Sequence, residues 1–203
     1  MKVKRPIDLH KGLTALVVLS MMAYFDNFTL GPWVYLALHG TYGAMWVLKS
    51  RTFPDPNWEE VVPVWKGMGV FCALLLYWVA PFLLVSSGKV PSPALVCGAV
   101  AANALGTCLH FASDAQKYFV LQARRGLITD GFFSRTRNPN YLGEILIYGS
   151  FAALSMHWLP WVICALFWGA VFLPNMRNKD RSMSRYETWN DYTARTGMLL
   201  PRP

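Results

Sequence analysis

Glu144 stands four residues after Asn140 and three after Tyr141, in the stretch SRTRNPNYLGE that leads straight into apolar sequence. On a helix these three side chains share one side. A carboxylate within a membrane span costs about 2.5–3.5 kcal/mol on insertion scales, so it takes a partner or lines a cavity. A helix N-terminus also favours its negative charge. Such a group suits ligand binding; a cap, or an ion pair with a nearby arginine, is the simpler role. Upstream, Asp114, Gln116 and Lys117 lie in SDAQKYF, and Arg124, Arg125, Arg135 and Arg137 follow. Downstream, Arg177, Arg181 and Arg185 recur four residues apart, beside Lys179 and Asp180. On a helix that row forms one face, and guanidinium groups grip phosphate or carboxylate through paired hydrogen bonds. Contact with lipid phosphates is the simpler role for each arginine. His39 and Tyr42, three apart in LHGTYG, could pass a proton, and a histidine in such a run also serves as hydrogen-bonded structure. Glu59 and Glu60 are sequence neighbours that do not share a helical face, and are read as surface loop.

The elements that must position these groups are membrane helices. Apolar residues make up 54% of the 203, and charged residues only 15%, well below the roughly 25% of a soluble domain. The heavy Trp, Tyr and Phe content suits anchoring at a bilayer interface. Six apolar stretches stand out, at about 11–26, 30–48, 65–86, 91–112, 139–155 and 157–174. A full crossing takes about 20 residues, with about 17 as a lower limit, so the first, fifth and sixth are short and call for tilt or a hairpin. Lipid-exposed backbone must satisfy its own hydrogen bonds, which leaves helix as the secondary structure. The expected fold is all-α: a polytopic membrane bundle of about six transmembrane helices, a C-terminal helical hairpin and a basic tail. Residues 1–112 read as N-terminal transmembrane helices, and 113–203 as the region holding nearly all the polar chemistry.

Charge distribution orients the chain. With the N-terminus inside, Lys89 alone among the 19 Lys and Arg residues falls in an outer turn. That asymmetry places both termini on the cytosolic side, or on the inner side of an organelle. Endoplasmic reticulum, bacterial inner membrane and organellar membrane all fit. The basic start before LTALVVLSMMAYF lacks a small-residue cleavage site and reads as an uncleaved first span. The net charge of +8 clusters beside apolar spans, which argues for lipid headgroups or a phosphate-bearing ligand and against nucleic acid. Cys72, Cys97, Cys108 and Cys164 sit singly in apolar stretches, as small buried hydrophobes. No His, Cys and carboxylate cluster has ligand spacing, so no metal is expected, and no glycine-rich phosphate loop is present.

The stretch GFFSRTRNPNYLGEILIYGSFAALS, with the later RYETWNDYTARTGMLLPRP, resembles the signature of a superfamily of membrane enzymes. That superfamily contains steroid 5α-reductases, sterol reductases, and isoprenylcysteine carboxyl and phospholipid methyltransferases. Its pattern runs roughly Arg-His-Pro-Asn-Tyr-x-Gly-Glu/Asp, then an apolar hairpin and a basic tail, and the resemblance covers about residues 107–203. Its reductases bind NADPH and its methyltransferases S-adenosylmethionine, in a similar pocket between hairpin and tail. SDAQKYF is similar to a reductase-type segment. Asn138 replaces the histidine on which the methyltransferases rely. The arginine row suits a pyrophosphate and a 2′-phosphate. The resemblance therefore favours the 5α-reductase branch. It implies cofactor contacts at Asp114, Lys117, Arg137, Asn140, Tyr141, Glu144 and Arg177, with Arg181 at a position where 5α-reductases hold a histidine. Asn140 and Glu144 would hold the carboxamide end of the nicotinamide.

The catalytic half matches less. In 5α-reductases an acidic residue and a tyrosine from the N-terminal half polarise the enone oxygen, and the corresponding tyrosine position before KSRTFPDP is Leu48. Tyr42 and His39 are the nearest substitutes as catalytic donors. The expectation is an NADPH-dependent membrane oxidoreductase acting on a carbon–carbon double bond of a lipid-soluble, steroid-like enone. An S-adenosylmethionine-dependent lipid or isoprenylcysteine methyltransferase uses the same pocket. A non-catalytic subunit that keeps the fold, with other membrane subunits as partners, is the third reading.

Overall fold

A computed structural model describes residues 1–202. The chain forms α1 (Lys4–Tyr24), α2 (Leu30–Thr52), α3 (Val64–Leu75), α4 (Val79–Ser87), α5 (Pro93–Ala123), α6 (Pro139–Leu154), α7 (Trp158–Phe167), α8 (Leu173–Met183) and α9 (Trp189–Arg195). A 3₁₀ turn joins α3 to α4, and a π turn over Trp168–Phe172 joins α7 to α8, making each pair one long rod. Among the described residues there is no strand; two isolated bridges, Lys2 with Val61 and Thr136 with Gly197, are the extended pairings.

Helices form in all six apolar stretches. Four are long and apolar enough to cross a membrane: Lys4–Tyr24, Val64–Ser87, Pro93–Ala123 and Trp158–Met183. Length and composition thus support four of the six expected transmembrane helices. Glycines, His39 and tyrosines dilute α2 despite its 23 residues, and α6 has only 16. Helix α1, helix α5 and the α7–α8 rod also run further than their apolar cores, because Lys4–Lys11, Ser113–Ala123 and Asn175–Met183 continue the helical ladder through polar sequence.

Local sequence fixes the ends. Ser92 caps α5 by accepting from Leu95 N–H at 3.3 Å, with Pro93 in the first turn. Pro139 opens α6 in the same way, just past Asn138. His157 accepts from Leu159 N–H at 3.1 Å and starts α7. The π turn precedes Pro174, which has no N–H to offer and crowds the carbonyl of the turn before it.

Helices α5 and α6 pack at backbone contact. A Cβ on Gly143 would meet Gly106 O at 2.5 Å and His110 N at 2.6 Å, so only glycine permits this approach. Gly43 of α2 lies as tightly against the Lys11 carbonyl of α1. The buried core between these pairs holds Val18, Met22, Tyr35, Leu84, Ile147, Phe151 and Leu154. Close approach draws Lys11, Lys49, His110, Asp114 and Glu144, from four helices, to one place.

The tail closes over the segment before α6. Arg137 N–H donates to Gly197 O at 2.9 Å, Gly197 N–H to Arg135 O at 3.1 Å, and Tyr192 OH to Phe133 O at 2.8 Å. Burial pushes the Tyr192 phenol up to about 12, so it keeps the proton that makes this bond.

Candidate functional site

These helices enclose a cavity of about 1200 Å³. Its buried end is aromatic and cationic. Lys11 is 3% exposed; its ammonium donates to the Tyr148 hydroxyl and lies 4.5 Å from the Tyr42 ring centre, 4.8 Å from that of Tyr148 and 5.3 Å from that of Trp46. Cation–π attraction replaces a counter-ion here, since no carboxylate oxygen lies within 4.0 Å of Lys11 among the described residues. Tyr77 stacks on Tyr148 with ring centres 4.1 Å apart and continues the wall.

Further along, Lys49 donates to Asp114 Oδ2, pairing a buried cation with a buried anion. His110 lies between this pair and α6, with Nε2 3.5 Å from Lys49 Nζ and Nδ1 3.6 Å from Glu144 Oε1. Asn140 lines the cavity beside Glu144, and its Oδ1 is buried without a hydrogen-bond partner. An orphaned acceptor of this kind costs about 1–3 kcal/mol unless a donor reaches it.

The rim is basic, but much of its charge is already committed. Lys117 pairs with Asp55 at 3.1 Å. Arg137 grips Asp180 with two nitrogens, at 3.1 and 2.9 Å, and donates to Thr196 O at 2.8 Å. Lys179 donates to Arg137 O at 3.0 Å and Asn138 Oδ1 at 3.1 Å. Arg125 and Arg185, both exposed at the mouth, form no salt bridge among the described residues.

A profile of a family described as "Protein of unknown function (DUF1295)" matches residues 14–196, most of the chain. The chain belongs to the DUF1295 family. It is a steroid 5α-reductase-like family of membrane proteins. No curated protein and no solved structure matches the chain.

Within this DUF1295 fold the expected site residues separate into two groups. Asp114, Lys117, Arg137, Asn140, Tyr141 and Glu144 all line the cavity, with Tyr141 packed on Phe172 at 4.8 Å between ring centres. Arg177 and Arg181 do not: both are exposed on α8 and outside the lining. The row of three is divided because Asn175, Asn178, Lys179 and Ser182 form the inward side of α8, and the helix ends at Met183, which frees Arg185 to turn to the mouth. Arg137 lines the cavity but spends its guanidinium on Asp180 and Thr196, so it braces the tail.

His39 and Tyr42 lie behind the wall and outside the lining. His39 is fully buried, with Nδ1 3.0 Å from Tyr35 OH and its ring stacked on Phe151 at 4.1 Å. The Tyr42 hydroxyl is buried, and its ring meets that of Tyr148 edge-on at 5.9 Å from behind. Asn138 is also structural: its amide donates to Met198 O at 2.8 Å, joining the tail to α6.

Lys11, Lys49, His110, Tyr77 and Tyr148 line the cavity and escape sequence reasoning. Lys11 and Lys49 stand at the polar ends of their helices, and His110 four residues before Asp114 was the available signal.

Proposed function

We propose that this DUF1295 protein is an NADPH-dependent membrane reductase that saturates a carbon–carbon double bond conjugated to a carbonyl in a lipid-soluble substrate. The observation that carries the reading is the orphaned Oδ1 of Asn140, on the cavity wall beside Glu144. A nicotinamide carboxamide brings two N–H donors, and these two side chains are acceptors without enough donors of their own. The cavity volume exceeds the roughly 300–1,000 Å³ of ordinary ligand pockets, leaving room for a dinucleotide end and a substrate together.

Asn140 and Glu144 would hold the carboxamide; Arg125 and Arg185 would meet the phosphates at the mouth. When bound, NADPH supplies the hydride. The chain's own task is to manage the charge that appears on the substrate oxygen. Tyr148 OH donates a hydrogen bond, and then a proton, to that oxygen, while the Lys11 ammonium holds the phenol oxygen and stabilises the negative charge left there. Tyr148 takes the donor role first expected of Tyr42 and His39, because it lines the cavity and they do not. The aromatic walls at Trp46, Tyr77 and Phe167 suit a flat apolar substrate.

Calorimetry on the detergent-purified protein tests this with NADPH, NADH and S-adenosylmethionine. NADPH is expected to bind, and Glu144→Gln to weaken it about tenfold by removing a charged acceptor. Binding of S-adenosylmethionine alone would replace this reading with methyl transfer. Binding of none by a folded sample would replace it with a non-catalytic membrane subunit.

A further inference from the structure

His110 is 1% exposed and carries polar neighbours on both ring nitrogens. Nε2 faces Lys49 Nζ at 3.5 Å and Asp114 Oδ2 at 4.0 Å, and Lys49 also donates to Asp114. Nδ1 faces the backbone carbonyl oxygen of Asn140 at 3.4 Å and Glu144 Oε1 at 3.6 Å. An ammonium group can only donate, so the nitrogen facing it accepts. That choice puts the ring proton on Nδ1, where it points at two acceptors on the first turns of α6. The ring has little freedom to turn. It stacks on Trp46 at 5.7 Å and 11°, and meets Phe111 edge-on at 4.9 Å.

We propose that His110 is a positioning residue: fixed in one tautomer by Lys49 and Asp114, it holds the Asn140 backbone and the Glu144 carboxylate, so that Asn140 Oδ1 and Glu144 stand as a matched pair of acceptors for the N–H groups of a primary carboxamide on the ligand. The inference rests on the nicotinamide reading above and deepens it. It also gives Asp114 a new part. Asp114 holds Lys49, which faces His110, which faces Glu144, so its effect on the ligand runs through the imidazole. The backbone reinforces the device. Gly143 packs against His110 N at a distance no larger residue would allow, so α5 and α6 cannot slide without spoiling the pairing.

The test compares NADP⁺ with its 3-acetylpyridine analogue, which is alike except that an acetyl group without N–H donors replaces the carboxamide. Wild-type protein is expected to prefer NADP⁺ by about tenfold. His110→Phe keeps a flat ring against Trp46 but has no donor, and His110→Gln places its amide towards the Nε2 side. Both are expected to erase most of that preference. His110→Asn, whose amide falls near the Nδ1 position, is expected to keep it. If Phe and Gln weaken both ligands equally and leave the ratio unchanged, His110 is only structural and the inference is wrong. If wild-type protein binds NADP⁺ but shows no preference, the inference also fails while the cofactor reading stands. If wild-type protein binds neither ligand, the cofactor reading falls and this inference with it.

Discussion

Lys11 is a buried cation whose hydrogen-bond partner is a neutral phenol, inside a ring of aromatic faces. A charge held this way is available to a ligand oxygen that gains negative charge, because no carboxylate has already claimed it. The pair Lys11–Tyr148 is therefore where the proposed reaction would be most sensitive. Tyr148→Phe is expected to lower turnover of an enone about a hundredfold while leaving NADPH affinity near wild type. His39→Phe is expected to leave turnover close to wild type, because His39 bonds Tyr35 and stacks on Phe151 away from the cavity. Steady-state kinetics beside calorimetry checks both. An equal loss in His39→Phe would return the donor role to the wall behind the cavity.

The pairing of α5 with α6 decides where His110, Asp114, Asn140 and Glu144 stand. Gly106 and Gly143 set that distance, since each would place a Cβ against the other's backbone. Gly143→Ala is expected to cost about 1–3 kcal/mol through overpacking and to weaken NADPH binding at the same time. Gly98→Ala is its control. That glycine lies on α5, the helix of Gly106, with no atom within 4 Å of its added Cβ, so the melting temperature in detergent is expected to hold or rise. The π turn plays a related part at α7–α8. The widened ladder before Pro174 lets Val171 and Phe172 face the cavity and brings Asn175, Asn178 and Lys179 round to the same side.

Across the whole molecule, the mouth of the cavity is assembled from distant parts of the chain. The α2–α3 connection supplies Asp55, Asn57 and Trp58, and the N-terminal residues tie it down. Val3 N–H donates to Glu60 O at 3.0 Å, and Glu59 pairs with both Lys2 and Lys4. Hydrogen bonds from Lys2 and then Lys4 hold the Glu59 carboxyl below the usual carboxylate range. A lowered carboxyl stabilises the fold above its ordinary value, and that contribution is lost as pH falls through its own lower value. The strap is thus expected to loosen in acid. Amide exchange at Val3, corrected for its intrinsic rate, should speed up there, and Glu59→Gln should exchange fast at neutral pH as well. A Val3 rate indifferent to both changes would mean that the ion pairs contribute nothing. Around this assembly, exposed Trp33, Trp65, Trp158 and Trp161 suit a lipid surface.

Composition and the apolar runs determined that this is an all-helical membrane protein, because a chain that apolar must satisfy its backbone internally wherever lipid meets it. The spacing of Asn140, Tyr141 and Glu144 likewise put the central polar group on one side of one helix. Other features were beyond a linear reading. Arg177, Arg181 and Arg185 share a face by periodicity, yet which face of α8 turns inward depends on the π turn and on what α8 packs against. His39 and Tyr42 are suitable donors by type, but the α2 packing points them into the core. Lys11 and Lys49 read as charge at the edges of spans, and only the close approach of α1, α2, α5 and α6 makes them neighbours of His110 and Glu144. Periodicity is a property of one helix and survives in sequence; which side meets a neighbour is set by contacts between residues as far apart as Lys11 and Tyr148, and only the folded bundle decides it.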